Sequence, residues 1–186
     1  MSSNNTIQLN TLIDILKESR AEVITEFPGQ YVDYPGLIPV EANQHFRYLT
    51  TPVNTSVFAH TGGDGVHYSL LQLSETVQPV IITVPAYSGL SKDCNRIIAE
   101  NLNEFLSLGY YNGWFTLEQL CYDPEAAIDL FASEDLQSKR DIPLIFEIIR
   151  KMRTKLGYQH IPLDMKRLLQ LEELYFHKLD FDSKTR

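Results

Sequence analysis

Three β-rich runs follow one another directly in this chain, at Thr55 to Ala59, Val66 to Leu73 and Pro79 to Val84, and helical periodicity lies before and after them. That order constrains the fold more than any other feature. Parallel strands need a crossover, usually a helix, between each pair, whereas strands in direct succession pair antiparallel. Thr61-Gly62-Gly63-Asp64-Gly65 separates the first two runs. Asp and Gly both tolerate positive φ, so Asp64-Gly65 reads as the tip of a hairpin. The third run, Val80-Ile81-Ile82-Thr83-Val84, lacks polar–apolar alternation, as a strand covered on both faces would. The expectation is an α+β fold built on an antiparallel sheet, with an N-terminal helix and a helical C-terminal extension.

The flanking segments read as helices. Leu9, Leu12, Ile13, Leu16, Val23 and Ile24 recur near the 3.6-residue period and predict a helix over about 6–26, stopped by Phe27-Pro28-Gly29. Residues 28–55 are rich in Pro, Tyr and Asn, so any strand there is short. Asp93 or Asn95 is placed to cap a helix to about Leu108, with Ile97, Ile98, Leu102, Phe105 and Leu106 inward and Gly109 as the residue after its end. Thr116-Leu117-Glu118-Gln119 has the form of a capping box. Asp123-Pro124 starts a helix to about Ala132. Asp141 caps a further helix with Leu144, Ile145, Ile148, Ile149, Met152 and Leu156 inward. Arg150, Lys151, Arg153 and Lys155 suit its negative end, and Gly157 stops it. Asp164 caps the last helix, with Leu168, Leu171, Tyr175 and Leu179 on one face. A length of 186 residues suits one domain, with a core over about 1–135 and the helical extension over about 136–186.

Charge narrows the partners. Of the net −8, residues 1–92 carry −4, residues 93–135 carry −8 and residues 136–186 carry +4. An acidic middle repels phosphates, which excludes nucleic acid at that surface and suits a basic protein. No apolar run approaches the roughly 20 residues that span a bilayer. The first residues, Met1-Ser2-Ser3-Asn4-Asn5, lack the basic and apolar regions of a secretory signal, which points to the cytoplasm. Cys94 and Cys121 form no CxxC pair and lack the His spacing of a zinc site, so neither a metal nor a cofactor is expected.

His60, Asp64 and His67 bracket the hairpin tip, and two imidazoles with a carboxylate are the groups of a metal or proton-transfer site. The plainer reading is a turn flanked by strand ends. The glycines there lack the following Lys and helix of a phosphate-binding loop. No catalytic template is present, and Cys94 has no neighbouring His in sequence, so no catalytic residue is assigned. Asp14, Glu18, Glu22 and Glu26 fall four apart and form one acidic stripe, and Glu100 and Glu104 are spaced alike. These carboxylates are candidates for docking a basic partner. Trp114, the single tryptophan, is a candidate contact anchor or a plug at the core edge. The basic helix at 139–155 would serve a scaffolding role if exposed.

The segment Thr61-Gly62-Gly63-Asp64-Gly65-Val66-His67-Tyr68, the strand Pro79-Val80-Ile81-Ile82-Thr83-Val84 and the helix Ile97-Ile98-Ala99-Glu100-Asn101-Leu102-Asn103-Glu104-Phe105-Leu106 together resemble the SUKH superfamily. That superfamily joins immunity proteins of bacterial polymorphic toxin systems to fungal cell-wall-assembly regulators. The resemblance covers about residues 50–120. It implies an antiparallel sheet flanked by helices, no enzymatic activity, and a function in binding and neutralising a toxin domain, often a nuclease. The expectation is therefore a non-catalytic protein-binding module with a basic toxin domain as partner and no membrane association. The alternative is a small-ligand or metal-dependent enzyme using His60, Asp64 and His67.

Overall fold

A computed structural model describes residues 7–41, 46–74, 77–85, 93–131 and 143–182. The hairpin tip sets the sheet in motion. Asp64 and Gly65 adopt φ of 49° and 72°, and the Val66 amide donates to the Gly63 carbonyl at 3.0 Å, closing the tight turn that a right-twisted strand pair favours. β2 (Thr55–His60) and β3 (His67–Leu71) pair across it, with His60 opposite His67. β4 (Val80–Thr83) and β5 (Asn95–Ala99) extend the sheet on one side, and β1 (Ile38–Pro39) on the other. All four pairings are antiparallel, in the order β1-β2-β3-β4-β5. The fold is α+β.

Both faces of this sheet are covered. Tyr68, Leu70, Val80, Ile82 and Ile98 face the larger core, with Leu12, Leu16 and Val23 of α1 (Leu9–Glu26), Phe105 and Leu106 of α2 (Leu102–Leu108), and Ile148, Ile149 and Met152 of α5 (Pro143–Leu156). Leu71, Ile81 and Ile97 point the other way, onto Leu171 and Tyr175 of α6 (Met165–Tyr175) and onto Leu179 beyond it. Every residue of β4 is consequently buried, which accounts for its unbroken apolar sequence. Two short helices, α3 (Gln119–Tyr122) and α4 (Pro124–Phe131), follow α2, and Asp123 Oδ1 accepts from the Ala126 amide at 3.1 Å as an N-cap. Asp164 caps α6 likewise, accepting from the Arg167 amide at 2.7 Å. No helix among the described residues is long and apolar enough to cross a membrane.

Four expectations need correction. The helix drawn from Asp93 or Asn95 to Leu108 is instead β5 followed by α2. Ile97 and Ile98 are buried on opposite faces of the sheet, and a strand covered twice is as continuously apolar as a buried helix. The cap is Asn101, whose side chain accepts from the Glu104 amide at 3.0 Å. Thr116 forms no capping box: Phe115–Glu118 is a 3₁₀ turn, and Thr116 Oγ1 is buried without a hydrogen-bond partner among the described residues. Gly109 ends α2 at φ −88°, an ordinary value; it is small because a Cβ there would meet the Trp114 ring at 2.2 Å. The first helix begins at Leu9 rather than residue 6. The cap assigned to Asp141 and the helix end at Ala132 lie outside the described residues.

Candidate functional site

Around the hairpin tip, the three residues singled out in the sequence part company. His60 and His67 are direct cross-strand partners and therefore share a face. His67 is fully buried and both of its ring nitrogens are engaged. Nδ1 lies 2.7 Å from the Gly65 carbonyl, which only accepts, so Nδ1 carries the proton. Nε2, at 3.0 Å, then accepts from the Thr51 hydroxyl, which in turn accepts from the Tyr48 amide at 2.9 Å. Burial pushes the His67 pKa down to about 4; the Gly65 carbonyl opposes that shift and the neighbouring His60 adds to it. His60 stacks on Phe46 at 4.7 Å between ring centroids, and burial lowers its pKa as well. Asp64 does not join them but lines an open cleft. Among the described residues no group of three His, Cys, Asp or Glu side chains is placed to hold a metal ion.

The carboxylates expected to form a docking face are engaged within the chain. On α1, Glu18 and Glu22 meet Lys155 at 3.1 and 2.6 Å, and Glu22 and Glu26 meet Lys151 at 3.1 and 2.6 Å. Hydrogen bonds from Lys155 and then Lys151 lower the Glu22 pKa. The lysines near the end of α5 thus bridge two helices, in addition to sitting at the negative helix end. Asp14 is exposed at the far end of the stripe. Glu104 is nearly buried and takes a two-pronged contact from Arg167 of α6, at 2.7 Å through Nε and 3.0 Å through Nη2. Glu100 accepts from Arg167 Nη2 at 3.1 Å and from the Tyr175 hydroxyl at 2.5 Å. The Tyr175 bond is the leading cause of its lowered pKa. Trp114 is a core residue with no exposed surface, its indole N–H donating to the Phe105 carbonyl at 3.2 Å. These carboxylates fasten elements to one another: those of α1 to the lysines of α5, and Glu100 and Glu104 to Arg167 of α6. No family model, no curated protein and no solved structure matches this chain.

A cleft of about 500 Å³ is lined by Tyr31, Asp33, Ile38, residues 61–64, Phe115 and Glu118. Three of its walls are carboxylates, and none of them has an ion-pair partner among the described residues. Burial, and then the charge of Asp64, raises the Glu118 pKa. Tyr31 stands 81% exposed at its rim. The cleft therefore offers negative charge and an aromatic ring to a cationic group. It brings together residues from four separate stretches of chain, and of these the sequence reading had singled out Asp64 alone. Both cysteines are buried: burial raises the Cys94 thiol pKa and pushes that of Cys121 up to about 12.

Proposed function

We propose that this chain is a non-catalytic protein-binding module of the immunity type, and that it meets a basic toxin domain with the hairpin end of its sheet. The observation that carries the proposal is the cleft whose carboxylates Asp33, Asp64 and Glu118 lack ion-pair partners among the described residues. Charge left uncompensated on a rigid surface steers an oppositely charged partner and rejects a like-charged one. The stripe on α1 makes no comparable offer, because three of its four carboxylates already hold α5. The turn that builds the cleft wall is also the first segment of the resemblance to the SUKH superfamily, in which binding rather than chemistry is the function.

The test is retention of basic proteins from the native cell on the immobilised chain, followed across a salt series. Wild type is expected to hold a partner at low salt and to release it as salt rises. The triple variant Asp33→Asn, Asp64→Asn, Glu118→Gln is expected to lose that retention, while Asp14→Asn keeps it. Equal retention by wild type and triple variant would move the contact elsewhere, and no retention by wild type at low salt would sink the reading.

A further inference from the structure

Residues 46–53 cover the end of the sheet face that α6 does not reach. Their attachment combines hydrogen bonds with the ring contacts of Phe46 and Tyr48 on His60 and His67. The Thr51 amide closes a turn within the segment by donating to the Tyr48 carbonyl at 3.0 Å, while Asn95 Nδ2 donates to the Thr50 carbonyl at 2.8 Å and the Val53 amide to the Asp180 carbonyl at 2.7 Å. Beneath them runs a row of cross-strand partners, His60, His67, Thr83 and Asn95. The last three are buried, and the Thr83 hydroxyl donates to Asn95 Oδ1 at 2.7 Å. Of its apolar side chains, Leu49 is 73% exposed and Val53 about half-exposed, whereas Phe46 stacks on His60, the half-exposed Tyr48 stacks on His67 and Pro52 is buried. His67 is the point at which the segment's ring contacts and its hydrogen bonds to the sheet meet.

Those bonds fit one protonation state. With Nδ1–H given to Gly65, the Nε2 lone pair is what receives the Thr51 hydroxyl proton. A second proton on Nε2 would face that hydroxyl. Thr51 Oγ1 would then accept from both His67 and the Tyr48 amide, and its own proton would lose its acceptor. We infer that His67 is an acid-sensitive latch: a second proton on its ring releases residues 46–53 from the sheet. The groups that face His67 do not compensate the added charge. Among the described residues they are His60 on β2, Thr83 on β4, and Phe46, Tyr48 and Thr51 on the covering segment. No carboxylate contributes to the shift of either imidazole. The device is independent of the binding proposal, although Tyr48 packs so closely on Gly65 that release would also alter the hairpin end.

Hydrogen exchange of single amides tests this. Opening frees a ring with an ordinary pKa near 6.5, whereas the closed ring is held to about 4. A folded-state pKa below the free value means that closure is fully favoured above 6.5 and weakens as pH falls toward 4. Protection of the Tyr48 and Thr51 amides, corrected for intrinsic exchange, is expected to fall about tenfold per pH unit through that window. The amides of Ile81 and Ile82 should keep theirs. His67→Gln should flatten the dependence, and His60→Gln should leave it. If His67→Gln does not fold, the wild-type ring is followed by NMR: titration well below 6.5 together with shifts of the loop amides supports the latch. Titration near 6.5 with the loop amides unmoved overturns it, as does a parallel loss of protection in β4.

Discussion

A methyl group added at Gly109 would arrive 2.2 Å from Trp114 Cε2 and 2.5 Å from Cδ2, closer than any real carbon contact. Backbone conformation raises no objection to it, since φ is −88°. Helix propensity alone would favour alanine over glycine by up to about 1 kcal/mol. Overpacking a rigid, fully buried indole costs about 1–3 kcal/mol and sets the sign. Gly109→Ala is therefore expected to destabilise by about 1–2 kcal/mol in urea denaturation. Gly63→Ala, where no atom lies within 4 Å and φ is not positive, should be neutral within about 0.5 kcal/mol. Equal effects at the two sites would show that the indole yields. Sequence reasoning had assigned Gly109 to a helix end, correctly as to place. The reason lay in a residue five positions on that had to touch it, which periodicity does not encode.

Among the elements, α6 is tied down by charge through a single guanidinium that serves two carboxylates. Arg167 reaches across to both Glu100 and Glu104, and it carries its cap partner Asp164 and Gln170 with it. Glu104 has only 12% of its side chain exposed, so losing the guanidinium leaves a carboxylate with few alternatives in water. Arg167→Leu is expected to cost about 1–3 kcal/mol, the upper part of the range for buried pairs being discounted for the partial exposure of Glu100. The change should be largest near neutral pH. The Glu100 carboxyl is held below its ordinary 4.5 by the Tyr175 hydroxyl and then Arg167, so its share of stability is present above that value and fades below it. Urea midpoints of wild type and variant should therefore draw together as pH falls below 4.5, through the part of the Glu100 shift that Arg167 supplies; a gap that stays constant with pH would remove charge as its cause. None of these cross-element bonds was legible in advance. The sequence showed Glu100 and Glu104 four apart and read them as one face, but the face belongs partly to a strand end and partly to a helix, and its cation lies 63 residues beyond Glu104. The strands were legible where a turn or a run of β-branched residues marked them. β5 was not, because burial on both faces erases the alternation that separates strand from helix.

For the whole molecule, the central question is how far the last two helices belong to the same cooperative unit. The hairpin tip was visible in Asp64-Gly65, while the cleft was not, because Tyr31, Asp33, Ile38, Phe115 and Glu118 converge only once β1 pairs with β2 and the 3₁₀ turn packs beside them. The chain after residue 136 read as an extension, yet its side chains supply core. α5 contributes Leu144, Ile148, Ile149 and Met152 to the larger cluster, and α6 with Leu179 covers Leu71, Ile81 and Ile97 on the opposite sheet face. Re-exposing those three sheet residues alone costs about 5–9 kcal/mol at 1.5–3 kcal/mol each. That is comparable to the entire stability of a typical domain, about 5–15 kcal/mol. A chain ended at residue 142 is therefore expected to show no cooperative urea transition, whereas the full chain unfolds in one step. Trp114, buried beside Phe105 and retained in both chains, reports the core by fluorescence, and far-ultraviolet circular dichroism reports the helices. In the full chain the two curves should coincide, as they do when sheet, α5 and α6 fold together. A shortened chain that still unfolds sharply by Trp114 fluorescence would mean that the sheet and α1 are self-sufficient and that α5 and α6 are accessory after all.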